Sequence, residues 1–206
     1  MSKLSSLSAL HGLAIPGRFG KGEGKANGDA GVTLTERTDL GLATVAVRKD
    51  QDDGLKARVR EAYGLDLPEG STLAQGKDVF FIGTGPGQWL AVSGTLQNEQ
   101  LAEDLADRLK GLASISDQSS GRAVIRVSGP RARDVLAKGL AIDLDPRVFG
   151  PGSAVTSTIS HMGVLVWREG EAESYDIALF RSVAGSFWAW LTASAAGYGY
   201  AVVTTS

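Results

Sequence analysis

Apolar and polar residues alternate along Arg122–Ser128, which is the period of a β-strand with one buried face. Ser128-Gly129-Pro130 then ends the strand, and Ser128 is the candidate N-cap of a helix over residues 131–138. Much the same order of strand, turn and helix occurs earlier in the chain. The stretch 117–136 is therefore predicted to join two related halves.

Each half is predicted to contain two helices among its strands. In the first half we expect strands at residues 32–37, 42–48, 78–82 and 88–93, helices at 50–63 and 95–112, and a short extended segment at 114–116. Asp50 is the candidate N-cap of the first helix. The run GTGPG at residues 83–87 lies between two predicted strands. We expect a hairpin turn there, because a nucleotide-binding loop needs a helix to follow it.

The second half is predicted to repeat this order. Its strands are expected at residues 122–128, 154–160, 164–168, 175–180 and 200–203, and its helices at 131–138 and from Ser182, a candidate N-cap, to Ala195. Each half is then close to the β-α-β-β-α-β order of a ferredoxin-like unit. The predicted fold class is α+β, with tandem ferredoxin-like halves at about residues 31–117 and 118–206.

An N-terminal arm, residues 1–30, precedes these halves. It combines scattered apolar residues with a glycine-rich run and cannot build a core of its own. We expect it to be disordered or to lie across another subunit. Its predicted subunit contacts are Leu10, Leu13, Ile15 and Phe19.

The last helix supplies two further candidates for a subunit interface. Phe187 and Trp190 belong to the predicted core stripe, whereas Trp188 falls on its flank. Trp188 is thus either partly buried core or an interface anchor. Arg181, which lies just before this helix, is the other candidate.

Composition and charge restrict the classes of partner. The chain has 206 residues and a formal net charge of −2, so it lacks the positive excess that binding to nucleic acid phosphates requires. Residues 182–206 carry no charged side chain, but three glycines and recurrent Ser and Thr favour a helix and strand over a membrane span. We expect neither nucleic acid nor membrane as a partner.

The sequence shows no pattern of a catalytic or metal site. It contains no Cys, which excludes disulfides, zinc–thiolate sites and thiol nucleophiles. His161, followed by Met162-Gly163, is interpreted as a turn residue, and no nucleophile elbow, metalloprotease motif or P-loop is present. We expect no catalytic, cofactor-binding or metal-binding residue in this chain.

Several segments together resemble a known superfamily. Residues 112–136, LASISDQSSGRAVIRVSGPRARDVL, resemble the stretch that opens the folate-binding fold of the glycine-cleavage T-protein, or aminomethyltransferase, superfamily. Within that superfamily the closer similarity is to the gamma-subunit family of heterotetrameric sarcosine oxidases. The other matching segments are LTERTDLGLATVAVR, GTGPGQWLAV, HMGVLVWR and YDIALFRSVAGSFWAWLTASAAGYG.

The resemblance implies a T-protein-like fold in a subunit without catalytic residues, which packs on the alpha subunit of a bacterial, cytoplasmic oxidase. Beta and delta subunits would complete the complex. It would oxidatively demethylate sarcosine to glycine, with formation of hydrogen peroxide and 5,10-methylenetetrahydrofolate. FAD, FMN, NAD, tetrahydrofolate and zinc are expected on the other subunits and none on this chain.

One departure from the T-protein pattern favours a role without catalysis. The T-protein carries a carboxylate in a G-x-I-D-D type strand, whereas the corresponding strand here, MGVLVW at Met162–Trp167, has no acid. Two alternatives stay open. One is a stand-alone tetrahydrofolate-binding protein or aminomethyltransferase-like enzyme, and the other is the same subunit of an oxidase for another secondary amine.

Overall fold

The computed structural model describes residues 7–20 and 30–205. Within these ranges the chain forms twelve strands and four α-helices. The strands are β1 Gly17–Phe19, β2 Val32–Glu36, β3 Gly41–Val47, β4 Leu73–Gln75, β5 Phe80–Gly85, β6 Gln88–Ser93, β7 Ala113–Asp117, β8 Arg122–Ser128, β9 Ala154–Ile159, β10 Met162–Trp167, β11 Ser174–Phe180 and β12 Tyr200–Thr204. The helices are α1 Asp52–Tyr63, α2 Glu99–Arg108, α3 Ala132–Leu136 and α4 Ala184–Ala195, with short 3-10 turns at Arg181–Val183 and Ala196–Tyr198.

The strands form two sheets with a repeated topology. The five-stranded sheet has the order β4-β5-β6-β3-β7, and the seven-stranded sheet has the order β1-β12-β2-β8-β11-β10-β9. In the smaller sheet, β3-α1-β5-β6-α2-β7 follows the antiparallel ferredoxin-like arrangement, with β4 added at the edge. In the larger sheet, β8-α3-β10-β11-α4-β12 repeats it, with β9 added at the edge and β2 inserted between β8 and β12. The predicted α+β class with two ferredoxin-like halves is therefore confirmed.

The two sheets pack face to face, with helices on both outer sides. Apolar residues of both sheets fill the layer between them, among them Leu42, Phe80, Ile82, Leu90, Val124, Leu165, Trp167 and Ala178. Helices α1 and α2 form a second core with the outer face of the smaller sheet, and α3 and α4 form a third with the larger sheet. The chain is thus built as four layers: helices, sheet, sheet, helices.

Strand β2 belongs to the larger sheet, although it lies in the predicted first half. It pairs in parallel with β12 and antiparallel with β8. Val32 and Leu34 are fully buried on its helix-covered face. The predicted boundary between the halves therefore does not follow sheet membership at this strand, because the pairing joins segments far apart in sequence.

Residues 7–20 of the predicted arm pack on the chain itself. Strand β1 pairs antiparallel with β12, with Phe19 opposite Tyr200. Leu10 is 1% exposed within the core under the larger sheet. The alternative of a disordered arm is therefore wrong for this segment, and its contact with another subunit stays a prediction. The rest of the arm, residues 1–6 and 21–29, lies outside the described ranges.

The three predicted N-caps, Asp50, Ser128 and Ser182, do not cap helices. Asp50 has a positive φ of 59°, Ser128 stays paired within β8, and Ser182 lies in a 3-10 turn. The N-cap positions are Gln51 for α1, Arg131 for α3 and Val183 for α4, and none of these has a side-chain cap hydrogen bond. Competing local conformations thus decide where each helix begins.

Candidate subunit interface

Exposed apolar side chains mark the described part of the arm. Leu13 is 50% exposed, Ile15 61% and Phe19 41%, and all three lie within or just before β1. They lie within seven residues of one another in sequence, and exposed large apolar side chains are candidates for contact with a partner chain. We call Leu13, Ile15 and Phe19 the arm patch.

Strand β1 is an edge strand of the larger sheet. On one side it pairs with β12, where the Phe19 and Tyr200 rings stack with their centroids 5.3 Å apart. Among the strands that the structure describes, none pairs with its other side. Such an edge offers backbone N–H and C=O groups to a second chain. The arm patch and this edge together form the candidate subunit interface.

Hydrogen bonds fix the arm to the body of the chain. The guanidinium group of Arg181 donates to the carbonyl oxygen of Leu7 and, at 3.1 Å, to that of Ser8. The backbone N–H of Leu10 donates to Glu36 Oε1 at 3.0 Å. Arg181 therefore positions the arm. Its contact with a partner subunit stays a prediction, as do the contacts of the arm patch.

Leu10 and Trp188, two predicted interface residues, lie in the chain's own core. Their exposed fractions are 1% and 6%. The buried face of α4 consists of Ala184, Phe187, Trp188, Leu191 and Ala195, and Trp190 takes the partly buried flank. Of the two alternatives for Trp188, the structure shows the core one, because the apolar stripe of α4 is rotated relative to the predicted one. Neither residue belongs to the arm patch.

A network of ion pairs lies at the end of the layer between the sheets. Asp176, 3% exposed, accepts hydrogen bonds from Arg126 Nε at 2.9 Å and from Arg126 Nη2 at 2.5 Å. Arg126 Nη2 also donates to Glu169 Oε1 at 3.2 Å. Arg37 Nη1 lies 3.7 Å from Asp176 Oδ1, and Arg37 Nε pairs with Asp39 Oδ1 at 2.9 Å. We call these five residues the ion-pair network.

The pKa values of Glu169 and Asp39 are shifted in opposite directions within the network. Burial and the neighbouring Asp176 carboxylate raise the pKa of Glu169, although Arg126 opposes this shift. Burial alone would raise the pKa of Asp39, but its hydrogen bonds with Arg37 lower it overall. Glu169 therefore holds a proton more tightly than a glutamate usually does.

The geometry of the network favours a structural role. Each of its carboxylates contacts an arginine, and Glu169 Oε1 also accepts the indole N–H of Trp167 at 3.3 Å. Within residues 7–20 and 30–205, no group of three or more His, Asp or Glu side chains is placed to hold a metal ion. His161 is exposed in the turn between β9 and β10, with a φ of 65°. The network connects β8 to β11 through Arg126 and Asp176, and it holds Arg37, which follows β2, beside them.

The GTGPG run confirms the predicted hairpin turn. Strand β5 leads through it directly into β6, with an irregularity between Gly83 and Gly85. A cavity of about 460 Å³ lies beside the hairpin and is lined by residues that include Asp52, Lys56 and Trp89.

Of the helices that the structure describes, none is long and apolar enough to cross a bilayer.

Comparison with known proteins decides the family. The sequence matches the sarcosine oxidase gamma subunit family over residues 48–197. The chain belongs to this family. It is 33% identical to the sarcosine oxidase subunit gamma of Corynebacterium sp. strain P-1 over 156 residues, which cover 74% of this chain and 76% of the relative. It is 32% identical to the subunit of the same name from an Arthrobacter species, with the same coverage.

Solved structures agree with this membership of the gamma subunit family. A chain of the heterotetrameric sarcosine oxidase from Corynebacterium sp. U-96 superposes with a TM-score of 0.71 at 28% identity, covering 83% of this chain and 87% of that one. The glycine cleavage system aminomethyltransferase T from Bartonella henselae gives a TM-score of 0.58 at 16% identity, covering 79% of this chain and 46% of that one. The second likeness shows the fold alone, which confirms the predicted T-protein-like fold.

Sequence reasoning did not find the ion-pair network of this gamma subunit family member. Arg126 occupies a position between the apolar Ile125 and Val127, so alternation already places it on the opposite face of β8. Its partner Asp176 is 50 residues away and faces it only because β8 pairs with β11. A charged residue within an apolar strand could have pointed to a buried ion pair. Its partner could not be predicted, because the pairing of β8 with β11 is not visible in the sequence.

Proposed function

We propose that this chain is the non-catalytic gamma subunit of a heterotetrameric, flavin-dependent sarcosine, or N-methyl amino acid, oxidase. The complex oxidatively demethylates sarcosine to glycine, with oxygen reduced to hydrogen peroxide and the one-carbon unit passed to tetrahydrofolate as 5,10-methylenetetrahydrofolate. The alpha, beta and delta subunits are its partners in the cytoplasm. They hold the FAD, FMN, NAD, tetrahydrofolate and zinc, and this chain supports assembly by packing on the alpha subunit.

The arm patch carries this proposal. It places exposed apolar side chains next to β1, which is an edge strand among the strands that the structure describes. Burying those side chains against a partner is favourable, because each removes apolar surface from water. Membership of the gamma subunit family supports the kind of partner, since a solved relative comes from a heterotetrameric oxidase.

The packing between the sheets favours an assembly role over a folate-binding one. A stand-alone folate protein would need a central cavity with an acidic side chain directed into it. Here Phe80 and Trp167 meet in that layer, with ring centroids 6.1 Å apart. The nearby carboxylates of Asp176 and Glu169 are engaged by Arg126. A pteridine ring would have to displace these packed side chains.

The test is the native mass of the protein purified from its own cells, together with its visible absorption spectrum. We expect a heteromeric particle several times larger than the 21.5 kDa chain, with flavin absorption bands. A colourless monomer or homodimer would contradict the proposal. Binding of tetrahydrofolate to the isolated chain, measured by calorimetry, would then support the stand-alone alternative.

A further inference from the structure

A polar cleft of about 300 Å³ lies between the arm and one end of strands β2 and β8. Its charged lining side chains are Glu36, Arg37, Arg122 and Arg181. Arg37 is paired with Asp39 in the ion-pair network, so the cations Arg122 and Arg181 outnumber the single carboxylate of Glu36. Positive charge therefore predominates in the cleft. We call it the arginine cleft.

Among the residues that the structure describes, Arg122 is a half-buried cation without an acidic partner. Its Nε is inaccessible to solvent and has no hydrogen-bond acceptor among the residues that the structure describes. No carboxylate in those parts of the chain lies within 4.0 Å of its guanidinium group. Burial lowers the pKa of Arg122, so its charge is disfavoured in the isolated chain. The ring of Phe180, 4.8 Å from its Cζ, provides a cation–π contact.

The next arginine on the same face of β8 shows what Arg122 lacks. Arg126 lies four residues further along the strand and forms a two-point contact with the buried carboxylate of Asp176. The residue opposite Arg122 on β11 is Phe180, which supplies a ring and no carboxylate. A buried guanidinium group is stabilised when a carboxylate matches its planar set of donors. Among the described residues no carboxylate takes this place at Arg122, so a carboxylate of another molecule would complete its contacts.

The surroundings of the cleft indicate a protein as its source. Phe180 is 57% exposed and Leu7 61%, and both lie beside Arg122 or on the wall of the cleft. A free small carboxylate could fill the cleft, but it would leave both apolar side chains in water. A protein surface that presents an acidic side chain covers them as well.

We propose that the arginine cleft docks an aspartate or glutamate side chain of a partner subunit. Arg122 binds the carboxylate, while Phe180 and Leu7 pack against the apolar surroundings of that residue. This inference rests on the proposed function, because it requires the oxidase complex.

Arg122→Gln in the complete complex tests the inference. We expect the apparent dissociation constant of the gamma chain, measured by native mass during serial dilution of the purified complex, to rise about tenfold or more. The isolated full-length variant should melt no lower than the parent, because it loses an uncompensated cation. Arg58→Gln, on the outer helix α1, is the matched control and should dissociate as the parent does.

Two further variants separate recognition from folding. Arg122→Lys keeps the charge but loses the planar donor pair, so we expect an intermediate loss of affinity even if the Gln variant is destabilised. Phe180→Ala combined with Arg122→Gln should weaken binding by less than the product of the two single effects, because both residues contact the same partner group.

The inference would be overturned if both Arg122 variants had the dissociation constant of the parent. It would also be overturned if Arg58→Gln raised the dissociation constant as much as Arg122→Gln does. A second measurement compares the melting temperature of the isolated chain in sodium acetate and in sodium chloride at equal ionic strength. If acetate raised it saturably, and Arg122→Gln abolished the rise, the inference would also be overturned. The occupant would then be a free carboxylate. Absence of any complex in the parent would contradict the proposed function itself, so the two failures are distinguishable.

Discussion

Asp176 and Arg126 show how one buried pair can fix the register of two strands. The carboxylate is 3% exposed and takes both hydrogen bonds from the guanidinium group, while Arg37 approaches from the end of β2. Removing one member of such a pair leaves a charge that has lost its solvent without keeping its partner. The cost of that loss exceeds the net contribution of the intact pair.

We expect Asp176→Ala to lower the free energy of unfolding by about 3 kcal/mol, at the low end for buried pairs because Glu169 still contacts Arg126. Denaturation with urea measures the change. Asp66→Ala is the control, since Asp66 pairs with Arg60 where both side chains are about 70% exposed. It should cost less than about 1 kcal/mol. Equal losses in the two variants would contradict a structural role for the network.

Glu169 should make stability depend on pH. Because its folded-state pKa is raised, the folded chain binds this proton more tightly than the unfolded chain, whose glutamate has a pKa of about 4.3. Its contribution is fully present below that value and is lost as pH rises through the folded pKa. In Glu169→Gln this loss disappears, so the melting temperature of the variant relative to the parent should increase between pH 4 and pH 7.

Thermal melts at several pH values test this expectation, with Glu103→Gln on the exposed face of α2 as the control. The control difference should stay nearly constant over the same range. A Glu169→Gln difference that fell with rising pH would mean that Arg126 outweighs burial at this carboxyl group.

At the scale of elements, strands followed from the sequence more closely than helix ends did. Arg122–Ser128 and Gln88–Ser93 match the predicted ranges, because their apolar pattern is local. The predicted N-caps are wrong, because Asp50 has a positive φ and Ser128 stays paired within β8. Strand β1 was missed, since three residues with no alternation carry no period. In α4, tryptophans at 188 and 190 satisfy the helical period equally well, so the sequence could not decide which one is buried.

Leu10 links the arm to the core of the larger sheet, and its truncation tests that correction. We expect Leu10→Ala to lower the free energy of unfolding by about 3 kcal/mol, through lost apolar burial and the cavity left behind. Leu13→Ala removes the same atoms from a side chain that is 50% exposed, and it should cost about 0.5 kcal/mol. If chemical denaturation showed equally small losses of unfolding free energy for both variants, the arm would not be part of the core of the larger sheet.

At the scale of the whole molecule, the pairing of strands from distant segments determines contacts that the sequence pattern does not predict. Strand β2 inserts between β8 and β12, and this places Arg37 next to Asp176 and Glu36 beside the arginine cleft. The repeat of two ferredoxin-like halves and the family were readable from segment order. The ion-pair network and the cleft were not, because each combines residues that only the sheet topology brings together.

The arm patch makes the assembly role testable in the complete oxidase. Ile15→Asp introduces a charge at a side chain that is 61% exposed, so the isolated chain should melt within about 2 °C of the parent. In the complex the same charge must be buried against a partner surface, which is costly without a counter-charge. We therefore expect the fraction of complex that retains the gamma chain to fall at least about tenfold, measured by native mass after co-expression of all subunits. Val148→Asp changes a residue that is 64% exposed on the loop before β9, and it should leave assembly unchanged. If both variants assembled normally, the arm patch would not be the contact surface. If both failed equally, the loss would reflect added charge and not the position of Ile15.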